Sequence, residues 1–285
     1  MIVITGATGL IGRRVVRSLA EAGEKVRAIT RDPATADLPD TVEAVAGDPS
    51  RPTTIAHAFD GAHAVFLNSR AVGVAGPELL ATARERGVRK AVALSAINIA
   101  DDLDKQPSRY RGDYNREIEA AMVDSGLDWV SLRPGMFATN AIGLWAEPVR
   151  GGDVVRMPYP DAAWAPLDED DLAEVAALAL RTDTLLGRRV ELTGPASLTQ
   201  AEMIGIIGAA LGRELRVERV PRAIAEQHLV GIGLPIGFAR ALLDMQAEYS
   251  TGPAVVSPEV AAILGRPARS FAQWVEANVA AFTRQ

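Results

Sequence analysis

The chain has 285 residues, enough for one large domain or a domain with an attached lobe. Hydrophobic residues make up 48% and charged residues 23%, which argues against disorder, and a net charge of −6 gives no overall basic footprint for nucleic acid. The absence of cysteine excludes disulfides, thiolate metal sites and cysteine nucleophiles, while His57, His63 and His228 lack ligand spacing for a metal site.

Met1-Ile2-Val3-Ile4-Thr5 has no basic n-region and no long apolar h-region, so no signal peptide is expected. No run of about 20 apolar residues marks a membrane span. The expectation is a cytoplasmic protein without a membrane partner.

The first half alternates short apolar runs with helical patterns. Strands are expected at Ile2–Thr5, Val26–Thr30, Val42–Ala46, Ala64–Asn68, Lys90–Ser95 and Trp129–Leu132. Helices are expected at Leu10–Ala22, Thr53–Phe59, Pro77–Arg86 and Tyr114–Ser125, with Gly23, Gly87 and Gly126 as stops. Such apolar strands cannot face water on either side. They imply a parallel sheet covered on both faces, and right-handed crossovers then make it doubly wound.

Beyond residue 134 the rhythm loosens. Short strands are expected at Asp153–Met157, Arg189–Leu192 and Val217–Val220, and a helix at Leu167–Arg181. Thr199-Gln200-Ala201-Glu202 fits a capping box opening a helix to Leu211, which Gly212 ends. Helical patterns follow at Ala223–Val230, Phe238–Tyr249, Pro258–Leu264 and Phe271–Phe282. The expected fold class is therefore α/β. A Rossmann core over 1–134 is followed by a 135–285 region that completes the sheet and adds a smaller, mainly helical substrate lobe, packed with the core as one unit.

The chemistry concentrates in Gly6-Ala7-Thr8-Gly9-Leu10-Ile11-Gly12, which follows the first strand and opens the first helix. Gly6 permits a tight turn, Gly9 lets backbone approach a pyrophosphate, and Gly12 lets the helix pack closely. The helix N-terminus offers N–H groups and a positive dipole end to phosphate. The same residues also describe a glycine-rich turn without a ligand.

A NAD-binding site usually places an acid at the end of the second strand. Here Arg31 stands there, a guanidinium suited to a 2′-phosphate, with Arg13 and Arg14 as reinforcement. NADP(H) is therefore expected over NAD(H), although Asp32, one residue on, is an acid that would serve NAD(H). Asp48 either caps the adenine amino group or shapes the Gly47-Asp48-Pro49 turn. Asn68, Ser69 and Ser95 end strands that overlook the nicotinamide side of the crevice.

The opening Thr5-Gly6-Ala7-Thr8-Gly9-Leu10-Ile11-Gly12 resembles the atypical short-chain dehydrogenase/reductases. The likeness is to their NmrA-like, NAD(P)H-binding branch, with its quinone and triphenylmethane reductases and redox-sensing regulators. Asn115-Arg116-Glu117-Ile118-Glu119, Ser125-Gly126-Leu127-Asp128-Trp129 and Leu132-Arg133-Pro134-Gly135-Met136-Phe137 are similar to that branch, as are Leu192-Thr193-Gly194-Pro195 and Ser197-Leu198-Thr199. The resemblance implies a Rossmann fold with a small substrate lobe. It departs at the Tyr-x-x-x-Lys pair of typical members, since Lys25, Lys90 and Lys105 all lie off the helix before the sixth strand. Alignment on Glu119 puts Arg111 in the tyrosine position and Asn115 in the lysine position.

The expected function is hydride transfer from NADP(H) to a small carbonyl, quinone or conjugated acceptor, a small-molecule substrate. Tyr114 donates a proton or binds substrate, Ser95 polarises a carbonyl, and Asn115 holds the nicotinamide ribose. A helix tyrosine, a backbone-bonded serine and an N-cap asparagine are the plainer readings of the same three residues. A non-catalytic NAD(P)-sensing regulator and an epimerase-like member with retained cofactor are the alternatives. The acidic run Asp168-Glu169-Asp170-Asp171 reads as helix capping. Trp129 reads as core. Phe137, Trp145 and Trp164 either line an apolar pocket or seat the lobe, and Arg266 and Arg269 lie in an interhelical turn.

Overall fold

The computed structural model describes residues 1–283; Arg284 and Gln285, the end of the region expected over 135–285, lie outside the described residues. In chain order the elements are β1 (Ile2–Ile4), α1 (Leu10–Glu21), β2 (Val26–Thr30), β3 (Glu43–Ala46), β4 (Ala64–Asn68), α2 (Ser69–Val72), α3 (Gly76–Glu85), β5 (Lys90–Leu94), α4 (Asn115–Asp124) and β6 (Asp128–Pro134). They continue as α5 (Asn140–Gly151), β7 (Val154–Met157), β8 (Ala163–Trp164), α6 (Glu169–Arg181), β9 (Arg189–Leu192), β10 (Leu198–Thr199), α7 (Gln200–Leu211), β11 (Arg216–Arg219), α8 (Arg222–Gly231), α9 (Ile236–Tyr249), α10 (Glu259–Leu264) and α11 (Phe271–Ala277).

Two compact units share the chain: 1–100, 112–134 and 172–191 form the first, and 101–111, 135–171 and 192–285 the second. The first holds the seven-stranded sheet, in the order β3-β2-β1-β4-β5-β6-β9. The registered pairs from β3 through β6 are all parallel, with Ile4 beside Ala28 on one side and Phe66 on the other. The sequence order reverses between β1 and β4, which creates the switch point of a doubly wound Rossmann sheet. Ile2, Val3, Ile4, Val65, Phe66 and Leu67 are fully buried, as strands covered on both faces require. Helix α1 buries Ile11, Val15, Val16 and Leu19 and stops at Gly23, whose φ is 76°.

Two expected helices break where local chemistry interrupts them. Residues 53–59 form two 3₁₀ turns, Pro52–Thr54 and Ala56–Phe59, separated at Ile55. The last expected helix ends at Ala277, and Val279–Phe282 is a 3₁₀ turn, because Asn278 leaves helical geometry and its amide donates to the Trp274 carbonyl at 2.8 Å. Helix α5 is hidden from sequence patterning by Pro148, which the chain accommodates within the helix. Trp129 is only half-buried, with the Arg189 guanidinium 4.9 Å from its ring centroid.

The second unit is mixed. β7 pairs in parallel with β11, and β8 pairs antiparallel with β10. Its core gathers Trp145, Val149, Trp164, Met203, Ile204, Ile207, Phe271, Trp274 and Phe282. The expected capping box on α7 is formed, between Thr199 and Glu202. The acidic run does more than cap. Asp168 accepts from the Asp170 N–H at 2.8 Å, and Glu169 accepts from Thr139 N–H at 2.8 Å and from the Trp274 indole at 3.0 Å. Asp171, fully buried, accepts from Arg266 at 2.8 Å, from the Arg269 backbone N–H at 2.7 Å and from the Arg269 guanidinium. The two arginines are thus matched to an internal carboxylate, as a buried charge requires.

One carboxylate ties the first unit's sheet to α4. Glu119 is 5% exposed, and its oxygens accept from Ser95 Oγ at 3.0 Å, Ser131 Oγ, Arg133 Nε at 3.1 Å and Nη2 at 2.5 Å, and Arg189 Nε at 2.9 Å. These donors sit after β5, on β6 and on β9. Burial alone would raise the Glu119 pKa, but the hydrogen bonds from Arg133, Ser131, Arg189 and Ser95 bring it down to about 2. A depressed carboxylate stabilises the fold above the unfolded-state pKa and loses that contribution as pH falls through the folded one. Wild-type stability should therefore drop between about pH 4.5 and pH 2, by on the order of 3 kcal/mol from this group. Glu119→Gln should cost about 3–5 kcal/mol at pH 7, by stranding two arginines, and should flatten the acid limb in urea titrations from pH 7 to 3.

Candidate dinucleotide-binding site

The turn after β1 is built by steric exclusion. Gly6 has φ 64°, and a Cβ there would lie 2.9 Å from the Asn68 Cβ. A Cβ on Gly12 would lie 2.1 Å from the Gly6 carbonyl oxygen and 2.7 Å from its carbon. Gly12 thus lets α1 press against the backbone of the turn itself. Gly9 is the N-cap of α1, and its N–H donates to the Gly6 carbonyl at 3.0 Å.

No side chain caps α1, and its first turn carries no acidic residue. The Leu10, Ile11 and Gly12 N–H groups therefore meet no competing carboxylate at the positive end of the helix. Thr8 and Gly9 are exposed, Leu10 is 44% exposed, and Ile11 and Gly12 are buried. Buried Thr5, to which the sequence assigned a strand end but no role, locks the turn to the neighbouring strand. Its hydroxyl donates to the Phe66 carbonyl at 2.9 Å and accepts from the Asn68 N–H at 2.8 Å. A hydroxyl one residue before the glycines was its only sequence signal.

Arg31 is exposed directly after β2. Asp32 is turned into its own segment, where its carboxylate accepts from the Ala34 N–H at 3.1 Å and caps a 3₁₀ turn. Arg14 bonds the Leu10 carbonyl at 2.9 Å, and Arg13 pairs with Asp37 at 2.7 Å. Asp48 closes its turn by accepting from the Ser50 hydroxyl at 2.8 Å and the Ser50 N–H at 3.0 Å. Those bonds lower its pKa, against a smaller effect of burial, and the charges of Arg51 and Arg31 lower it further. Arg31 and Asp48 follow β2 and β3, strands that pair Thr30 with Ala46.

At the end of β4, Asn68 caps α2 by accepting from the Ala71 N–H at 3.2 Å. Ser69 and Asn115 meet in the interior, with Ser69 Oγ donating to Asn115 Oδ1 at 2.5 Å. That bond fixes the Asn115 amide so that its NH₂ group remains the donor face. Tyr114 is the N-cap residue of α4 and packs against the sheet's core. The Ser95 hydroxyl is engaged by Glu119, to which it donates at 3.0 Å.

The residues present fit a dinucleotide. The turn leaves no room for a Cβ at Gly12, the helix end above it carries no rival anion, and an exposed guanidinium, that of Arg31, directly follows β2. A glycine turn at the switch point of a parallel sheet defines a Rossmann dinucleotide-binding protein. Residues 6–182 match the NAD(P)H-binding family, and the chain belongs to it. It is 32% identical over 295 residues to an NAD(P)H azoreductase of Xenophilus azovorans, covering 99% of both chains. It is 36% identical over 286 residues to the (4-alkanoyl-5-oxo-2,5-dihydrofuran-3-yl)methyl phosphate reductase of Streptomyces griseus subsp. griseus, again covering 99% of both. The Escherichia coli NADPH-dependent quinone oxidoreductase, solved with NADPH, shares the fold at a TM-score of 0.83 and 24% identity, over 98% of this chain and 99% of that one. Among the described residues, no helix is long and apolar enough to cross a membrane.

Gly12→Ala should place a methyl inside the Gly6 carbonyl and force α1 outward. The expected cost is about 1–3 kcal/mol of stability. Cofactor affinity should fall by at least about tenfold, because the helix end moves off the phosphates. Thermal melts with and without NADPH check both.

Proposed function

We propose that this chain is an NADP(H)-dependent reductase that passes hydride to a small carbonyl, quinone or other conjugated acceptor. The observation that carries the reading is the Gly6–Gly12 turn on an uncapped helix, with Arg31 exposed at the end of the neighbouring strand. The two full-length relatives named above are both reductases, which supports the reaction class. Arg31 favours NADP(H), because a guanidinium pairs with a 2′-phosphate and gains little from a ribose hydroxyl.

The cofactor, when bound, supplies the hydride. The chain supplies placement. The α1 N–H groups would hold the pyrophosphate, next to the turn that Gly6 and Asn68 shape, and Arg31 would take the 2′-phosphate. Asp48 faces the adenosine side. Asn115, its amide fixed by Ser69, donates from Nδ2 to the nicotinamide ribose, a task that falls to a lysine in typical short-chain dehydrogenases. Tyr114 supplies a proton or a hydrogen bond to the acceptor. Ser95 polarises a carbonyl only by giving up its bond to Glu119. A conjugated acceptor suits this equipment, because it is electrophilic before any proton arrives.

The test is NADPH oxidation across azo dyes, quinones, aldehydes, ketones and enones, with NADH in parallel. Turnover with NADPH preferred is expected. Bound NADPH with no turnover on any acceptor overturns the reductase reading, and a preference for NADH transfers the ribose role to Asp32. Ser69→Ala should raise the KM for NADPH by about tenfold with little change in kcat, by freeing the Asn115 amide to rotate.

A further inference from the structure

Among the described residues, Asp37 is the only non-glycine with positive φ, at 45°. Aspartate tolerates this left-handed geometry better than most side chains, but it is still an uncommon pose. The pose delivers its carboxylate to Arg13 Nη1 at 2.7 Å. The route there is short. After β2, Thr30 Oγ1 accepts from the Asp32 N–H at 3.3 Å, and Asp32 caps the turn Pro33–Thr35. The chain is thereby folded back towards α1.

Arg13 lies one residue past Gly12, in the opening turns of α1, and Arg31 follows β2, the strand beside β1. The Arg13 guanidinium thus meets, at Asp37, the same loop that Arg31 opens after β2, the strand end at which a Rossmann site reads the adenosine ribose. Arg13 already holds an anion. The side chains of Arg13 and Asp37 are 46% and 87% exposed, and an ion pair so exposed is weakly held. An incoming dianion can take the guanidinium from it.

We infer that Asp37 is a specificity-determining residue: it competes with the cofactor's 2′-phosphate for Arg13 and so narrows the margin by which NADP(H) is preferred over NAD(H). This rests on the assignment of the 2′-phosphate to the end of β2. NAD(H) lacks the 2′-phosphate that enters the competition. Removing the Asp37 charge should therefore tighten only the phosphorylated cofactor.

Asp37→Asn is the direct test, because asparagine accepts the same left-handed backbone and keeps the turn. Kd values for NADPH and NADH are measured by fluorescence titration of the full chain, at about 20 mM and about 300 mM salt. The expected result is an NADPH Kd lower by about fivefold at low salt, a smaller gain at high salt, and an NADH Kd changed by less than about 1.5-fold. In an Arg13→Gln background, Asp37→Asn should give no such gain. Unchanged or weaker NADPH binding in Asp37→Asn, or equal shifts for both cofactors, overturns the inference. Arg31→Gln tests the underlying assignment separately. If it leaves the wild-type NADPH to NADH ratio intact, the 2′-phosphate is not read at the end of β2, and both claims fail. If it collapses the ratio while Asp37→Asn does nothing, only the role of Asp37 fails.

Discussion

The approach of α1 to the turn before it constrains the rest of the first unit. Gly12 has space for a hydrogen and nothing larger, since a Cβ would sit 2.1 Å from the Gly6 oxygen. That closeness aims the open end of the helix at the switch point between β1 and β4, where strand order reverses and a crevice opens. Thr5 then ties the turn to β4, so the end of β4 and the helix N-terminus are set by one network. Without a Cβ-free Gly12, helix end, strand end and Asn68 cap would not keep this geometry.

Farther along the sheet, a charge network plays the corresponding part. Glu119 collects donors from the end of β5, from β6 and from β9, and holds α4 over them. Because α4 begins at Asn115, the network also fixes the end of the helix that meets Ser69. The second unit uses the same device, with Asp171 buried between Arg266 and Arg269. In both places a buried carboxylate is matched by two arginines, a costly arrangement to break and a specific one to form.

The Rossmann order was legible because period and punctuation agreed: fully apolar strands, amphipathic α1, and glycines at each helix stop. The glycine turn was legible for the same reason. What stayed hidden was any feature created by long-range side-chain pairing. Closer in the chain, the Asp48 turn was one of the two readings the sequence offered, whereas the bond from the Ala34 N–H to Asp32 was not expected. Asp171 looks like a capping residue, but its partners lie nearly one hundred positions downstream. Ser69 and Asn115 came from separate arguments about strand ends and helix starts. Only the fold shows that they share a hydrogen bond. Helix α5 escaped because Pro148 reads as a breaker when tertiary packing is unseen.

The central claim is that the Gly6–Gly12 turn and the first turn of α1 hold the dinucleotide phosphates. Amide hydrogen exchange on the full chain, with and without saturating NADPH, tests it most directly. The account predicts strong new protection at residues 6–13, with weaker protection at residues 30–32 and 68–69. Protection confined to other segments, with residues 6–13 exchanging as before, would contradict it.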